Sequence, residues 1–134
     1  MGTILIVQAD PELRLEWSAA IRLRGLAVVE VGDITEAVRH AREGGIDAVV
    51  LDSMDPARSA RALIEELQRL PEPPPLILVS SSPQAPEQSA HLGAAAFVPK
   101  PCAPEDLAMV AEKLISARPR NILDEDTERR MRDL

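Results

Sequence analysis

Aromatic residues are almost missing from this chain: one tryptophan (Trp17), one phenylalanine (Phe97) and no tyrosine occur among 134 residues. A core of ordinary size must therefore be assembled from Leu, Ile, Val and Ala. The hydrophobic share is nonetheless 46%, which excludes disorder of the whole chain. Cysteine is nearly absent too. Cys102 alone permits no internal disulfide and fits a reducing, cytoplasmic setting. Basic residues are in deficit, with 15 Lys and Arg against 22 Asp and Glu and a net charge of −7. This balance argues against a nucleic-acid surface, so no nucleic-acid partner is expected. No apolar run approaches the length of a membrane span, so no membrane partner is expected either. The opening Met1–Val7 has neither a basic leader nor a long apolar stretch and does not read as a signal peptide. Glycine-rich phosphate loops and internal repeats are also lacking, which weakens any nucleotide-binding reading. The length is that of one ordinary domain.

What is present is an alternation. Four short apolar runs, Ile4–Val7, Ala27–Val31, Ala48–Leu51 and Leu76–Val79, are joined by a weaker fifth, Ala95–Val98. Residues that are apolar at consecutive positions suit strands buried on both faces. Between the runs lie stripes at helical spacing: Leu13, Trp17, Ala20, Ile21; Ile34, Ala37, Val38, Ala41; Ala60, Leu63, Ile64, Leu67; and Leu107, Val110, Ala111, Leu114. Ala85–Leu92 is a helix candidate with little apolar periodicity.

Punctuation agrees. Asp10 and Pro11 suit a cap and first turn, and Gly25 a helix end. Asp33 can cap the second helix, which Gly44-Gly45 terminates. Pro71–Pro75 stops the third helix and Gly93 the fourth. The order is strand–helix five times over. That predicts an α/β fold with a five-stranded parallel sheet, doubly wound, with helices on both faces.

Residues 1–117 carry this pattern; 118–134 do not. The latter stretch is charged and set off by Pro119, with Glu125–Arg129, Asp126–Arg130 and Glu128–Arg132 as acid-before-base pairs at i,i+4. It reads as a charged C-terminal helix or linker. A contact with a partner or a second copy through Leu123, Met131 and Leu134 is the alternative.

In doubly wound sheets, ligands sit at the carboxyl ends of the strands. Here those ends carry Gln8, Ala9 and Asp10, then Asp52 and Ser53, then Ser80 and Ser81, then Lys100. A carboxylate at the tip of a buried strand needs a partner, and Lys100 is the evident one for Asp52. His40 and His91 fall on separate helices and read as surface or packing residues. Trp17 reads as core, and Cys102 as a buried structural thiol.

These elements resemble the receiver domain of two-component response regulators over residues 3 to about 117. Ile4-Leu5-Ile6-Val7 through Asp10-Pro11-Glu12-Leu13-Arg14 matches the family's first strand and helix. Asp47-Ala48-Val49-Val50-Leu51-Asp52, with Pro56 beyond, matches the strand bearing the phosphoacceptor. Leu78-Val79-Ser80-Ser81 matches the strand ending in a switch hydroxyl. Gly93 through Phe97-Val98-Pro99-Lys100-Pro101 matches the fifth strand. The resemblance implies a flavodoxin-like receiver fold and gives roles to matched positions. Asp52 would be the phosphoacceptor, and Ser80 would contact phosphate. Phe97 would be the aromatic switch, Lys100 the partner of Asp52, and Pro101 the residue after a cis peptide. It also implies a protein partner, a histidine kinase or an output protein, met through residues about 85–117. A homodimer is a further possibility.

The departures from the family decide the expectation. The two acidic residues that hold Mg²⁺ beside the phosphoacceptor are replaced by Gln8 and Ala9, which leaves Asp52, with Asp10 as the sole nearby substitute. Mg²⁺ is held by carboxylates, phosphate and water, so no metal or cofactor is expected unless this depleted pocket still takes it. Past Asp52 the run Pro56-Ala57-Arg58-Ser59-Ala60 lacks the family's glycine, which points to a reshaped turn. The expectation is a non-enzymatic, degenerate receiver working by protein–protein contact. A working phosphoacceptor on Asp52 and a small hydrolase with Asp52 as nucleophile are the competing readings.

Overall fold

The computed structural model describes residues 2–117. The expected charged helix or linker at 118–134, with Leu123, Met131 and Leu134, lies outside the described residues. Five strands, β1 (Thr3–Val7), β2 (Ala27–Val31), β3 (Ala48–Asp52), β4 (Leu76–Ser80) and β5 (Ala96–Pro99), form one parallel sheet in the order β2-β1-β3-β4-β5. Helices α1 (Pro11–Arg22), α2 (Ile34–Glu43), α3 (Pro56–Ser59), α4 (Arg61–Gln68) and α5 (Ala85–His91) fill the crossovers, and α6 (Pro104–Ala117) follows β5. This is the doubly wound parallel sheet that the alternation predicts and the flavodoxin-like order that the resemblance implies.

The central strands of the sheet are buried on both faces, because β1, β3 and β4 are apolar at nearly every position. Leu5, Val7, Val49, Leu51, Leu76 and Leu78 point to one side, where Ala37, Ala41, Leu63, Ile64 and Leu67 of α2 and α4 cover them. Ile4, Ile6, Val50, Ile77 and Val79 point to the other, against Trp17 and Ile21 of α1 and Leu107, Ala108 and Ala111 of α6. The single tryptophan is thus core, as its helical spacing implies. Among the described residues no helix is long and apolar enough to cross a membrane.

Local chemistry sets the helix ends. The Asp10 carboxylate accepts from the amides of Glu12 and Leu13 at the start of α1, and Asp33 accepts from Glu36 in α2. Gly44 closes α2 at a φ of 82°, a left-handed conformation that glycine adopts without strain. One element departs from the sequence reading. The residues after Asp52 form an extra single turn, α3, before α4 begins. Ser59 Oγ donates to the Asp55 carbonyl at 2.8 Å and shares a 2.7 Å hydrogen bond with Ser53 Oγ. Without glycine the loop tightens into a helical turn stapled by two hydroxyls.

Candidate functional site

The strand order reverses between β1 and β3, and the crevice at their carboxyl ends is where such sheets assemble sites. Register places Val7 beside Leu51, so the residues that follow, Gln8 and Asp52, emerge next to each other. Across the sheet, Asp52 pairs with Val79 and Ser80 with Pro99, which sets Lys100 just beyond the edge of the same crevice.

Three predicted residues meet there. Lys100 Nζ donates to Asp52 Oδ2 at 2.7 Å. Gln8 Nε2 donates to the same oxygen. The carboxylate keeps 10% exposure and the lysine side chain 25%, so the charge pair is largely but not wholly shielded from water. Gln8 is buried, at 4% exposure, and uses both ends of its amide, since its Oε1 accepts from the Asp10 amide at 3.0 Å. One neutral side chain therefore ties the tip of β1 to the start of α1 and to the carboxylate of β3. The peptide between Lys100 and Pro101 is cis.

A profile of the response regulator receiver domain matches residues 4–112, most of the chain. The chain belongs to the response regulator receiver family. Among relatives of this receiver, the transcriptional activator protein PfeR of Pseudomonas aeruginosa is 32% identical over 99 residues, covering 73% of this chain and 32% of the relative. The probable transcriptional regulatory protein TcrX of Mycobacterium tuberculosis is 29% identical over 115 residues, covering 84% and 49%. The chain thus spans between 32% and 49% of the length of these relatives. Among solved structures, the signal receiver domain of a signal transduction histidine kinase from Syntrophus aciditrophicus superposes with a TM-score of 0.75 at 29% identity, covering 90% of this chain and 94% of that one.

The other predicted positions of the receiver are placed as follows. Ala9 is exposed and has no polar side-chain atom. Asp10 is spent on the cap of α1. Ser80 is buried, and its hydroxyl accepts from the Ser82 amide at 3.1 Å, closing the turn after β4. Phe97 is half-buried and packs on the α2–α4 side of the core. Cys102 is half-buried beside the lysine loop; burial, reinforced by Asp106 and opposed by Lys100, pushes its thiol above the ordinary value. Among the described residues no three His, Cys, Asp or Glu side chains gather in a metal-binding group.

Two contributors escape a reading of the sequence. Arg14 Nη1 donates to the Gln8 carbonyl at 2.9 Å. The available signal was directional: helical side chains lean toward the N-terminus, so a long cation four residues after Asp10 reaches back over the tip of β1. Gly32 lies beside that guanidinium, and a β-carbon there would meet it at 3.2 Å. The second is the Ser53–Ser59 pair, invisible because it depends on the α3 turn.

Proposed function

We propose that this receiver is degenerate in Mg²⁺-dependent phosphorylation and signals in the cytoplasm by contact with a protein partner, without catalysing a reaction. The observation carrying this reading is the double engagement of Asp52 Oδ2 by Gln8 Nε2 and Lys100 Nζ. In an acidic pocket the residue at Gln8 would be a second carboxylate repelling Asp52 and calling for a cation. Here it is an amide that donates to Asp52, so the negative charge is met by protein groups alone.

The donors present do not suit Mg²⁺. Asp52 is one carboxylate with an ammonium at 2.7 Å, Ala9 offers no ligand, and Asp10 accepts from two backbone amides. A hard cation wants several oxygen ligands, and these positions supply one free carboxylate. The partner face would be α5, β5 and α6. In it α5 is short, lacks a side-chain N-cap and buries Ala85 and Ser89. A segment so lightly anchored is readily reshaped on binding, and a partner preferring one arrangement would set the state of the domain.

The test is incubation with a small phosphodonor and Mg²⁺, followed by intact-mass measurement. The expected result is no phosphorylated species for the natural chain, and its appearance once Gln8→Asp and Ala9→Asp are combined. Stoichiometric phosphorylation of Asp52 in the natural chain would establish the phosphoacceptor reading instead.

A further inference from the structure

The amino-terminal edge of the sheet, at the opposite end from Asp52, carries a groove in two parts. The first is a crevice of about 630 Å³, bounded by Ile115 and Ser116 in the last turn of α6 and by Arg24, Asp47 and Glu72. The second is an apolar recess of about 340 Å³ under the ends of α2 and α4, lined by Ile46, Leu70 and Pro71. Gly45, Ile46 and Glu72 belong to both, so the groove is continuous. It crosses the sheet from the α6 side to the α2–α4 side. Asp47 is fixed midway, because its carboxylate accepts from the Thr3 amide and its own amide donates to the Thr3 carbonyl, each at 2.8 Å. Arg24, the cation in the wall, is engaged by Glu112 at 3.0 Å. Along its length the groove therefore offers the end of α6, then two carboxylates, then apolar side chains.

By sequence, the chain beyond α6 offers the complement in the same order. Arg118-Pro119-Arg120-Asn121-Ile122 carries two cations and no acid, then an isoleucine, in a chain whose net charge is −7. A residue before proline is driven toward extended backbone, and in extended backbone positions 118, 120 and 122 share one side. We propose that Arg118–Ile122 lies in this groove of its own chain, with Arg118 and Arg120 over Asp47 and Glu72 and with Ile122 in the recess. The reach suffices. Five residues span at most about 17 Å, and the edges of β1, β3 and β4 together extend about 10 Å. Attachment favours the chain's own segment over another's. The groove opens at the residues from which the segment departs, and so short a tether holds it at about millimolar effective concentration. Once seated, the segment fastens the end of α6 to the starts of β3 and β4. The inference does not depend on the state of Asp52, and either can fail without the other.

Trypsin digestion of the folded full chain, followed by mass measurement, tests it. Arg118 precedes proline and resists cleavage, so Arg120 is the first cut site beyond α6, with Arg129 and Arg130 as controls further along. Each rate is taken relative to a synthetic peptide spanning residues 117–126 of the same variant. Cleavage after Arg120 should be about tenfold or more slower in the chain than in the peptide. Nearness to a folded domain also slows a protease, so two variants decide. Ile122→Ser should speed cleavage after Arg120 about tenfold by removing the apolar anchor. Glu72→Ala should speed it about threefold by removing one screened ion pair. Cleavage after Arg129 and the circular dichroism spectrum should stay unchanged in both. Unchanged cleavage after Arg120 in either variant overturns the proposal. So does protection that appears only as protein concentration rises, which would give the groove to the segment of a second copy.

Discussion

Replacing Lys100 by Met would keep most of the side-chain volume and remove the ammonium from Asp52. The gross attraction at 2.7 Å is about 6 kcal/mol at the effective dielectric of a near-surface pair. The net cost is smaller, because forming the pair takes both charges largely out of water. What remains after the change is a carboxylate at 10% exposure with Gln8 as its one side-chain donor. Stranding a buried charge costs about 3–5 kcal/mol. The opening left by a side chain that was 25% exposed admits water and lowers this to about 2–3 kcal/mol. At about 4 °C per kcal/mol for a domain of this size, Tm should fall by about 10 °C. Asp52→Asn should cost under about 1 kcal/mol, since it keeps an acceptor for Gln8 and frees an ammonium that can turn to water. The double variant should be less destabilised than Lys100→Met alone, because the stranded charge is gone. Calorimetric melts of the three variants at neutral pH provide the measurement. A Tm for Lys100→Met within about 2 °C of the natural chain would show that the carboxylate does not rely on the lysine, and the account of the site would fail.

Other consequences can be checked separately. Surface substitutions on α5 and α6 should abolish binding to the cognate partner in a pull-down while Asp52→Asn leaves it nearly intact; the reverse pattern would restore the phosphorelay reading. Cys102 should react with iodoacetamide more slowly in the folded chain than in denaturant at mildly alkaline pH, because burial holds the proton on its thiol. The unfolded thiol ionises near its ordinary value of 9.0 and the folded one above it, so the fold should lose stability as pH rises past that point, as pH-dependent melts would show. Asp10→Ala removes the acceptor for the Glu12 and Leu13 amides and should destabilise the chain by about 1 kcal/mol in denaturant unfolding.

The central strands were legible because a sheet covered on both sides demands near-continuous apolar runs, such as Ile4–Val7, Ala48–Leu51 and Leu76–Val79. The helix stripes were legible for the complementary reason: Ala60, Leu63, Ile64 and Leu67 recur at 3.6-residue spacing, and all four are buried. The α3 turn was not, since Pro56-Ala57-Arg58-Ser59 has no apolar period and is held by hydroxyls whose partners only the folded chain reveals. At the site, the meeting of Asp52 and Lys100 followed from strand ends alone. The use made of Gln8 did not. Its sequence position shows a missing carboxylate, but whether the amide would aim its oxygen or its nitrogen at Asp52 depends on the Asp10 amide occupying the other end.

The Gln8 amide bears on time as well as on charge. A receiver written by covalent phosphate stores its last input for as long as the acyl phosphate survives. In the reading proposed above, Asp52 is held by two hydrogen bonds that no reaction has to make or break, and so stores nothing. Its output would track the concentration of its partner and fade as fast as the complex dissociates, giving the cell a gauge of the present in place of a record of the past.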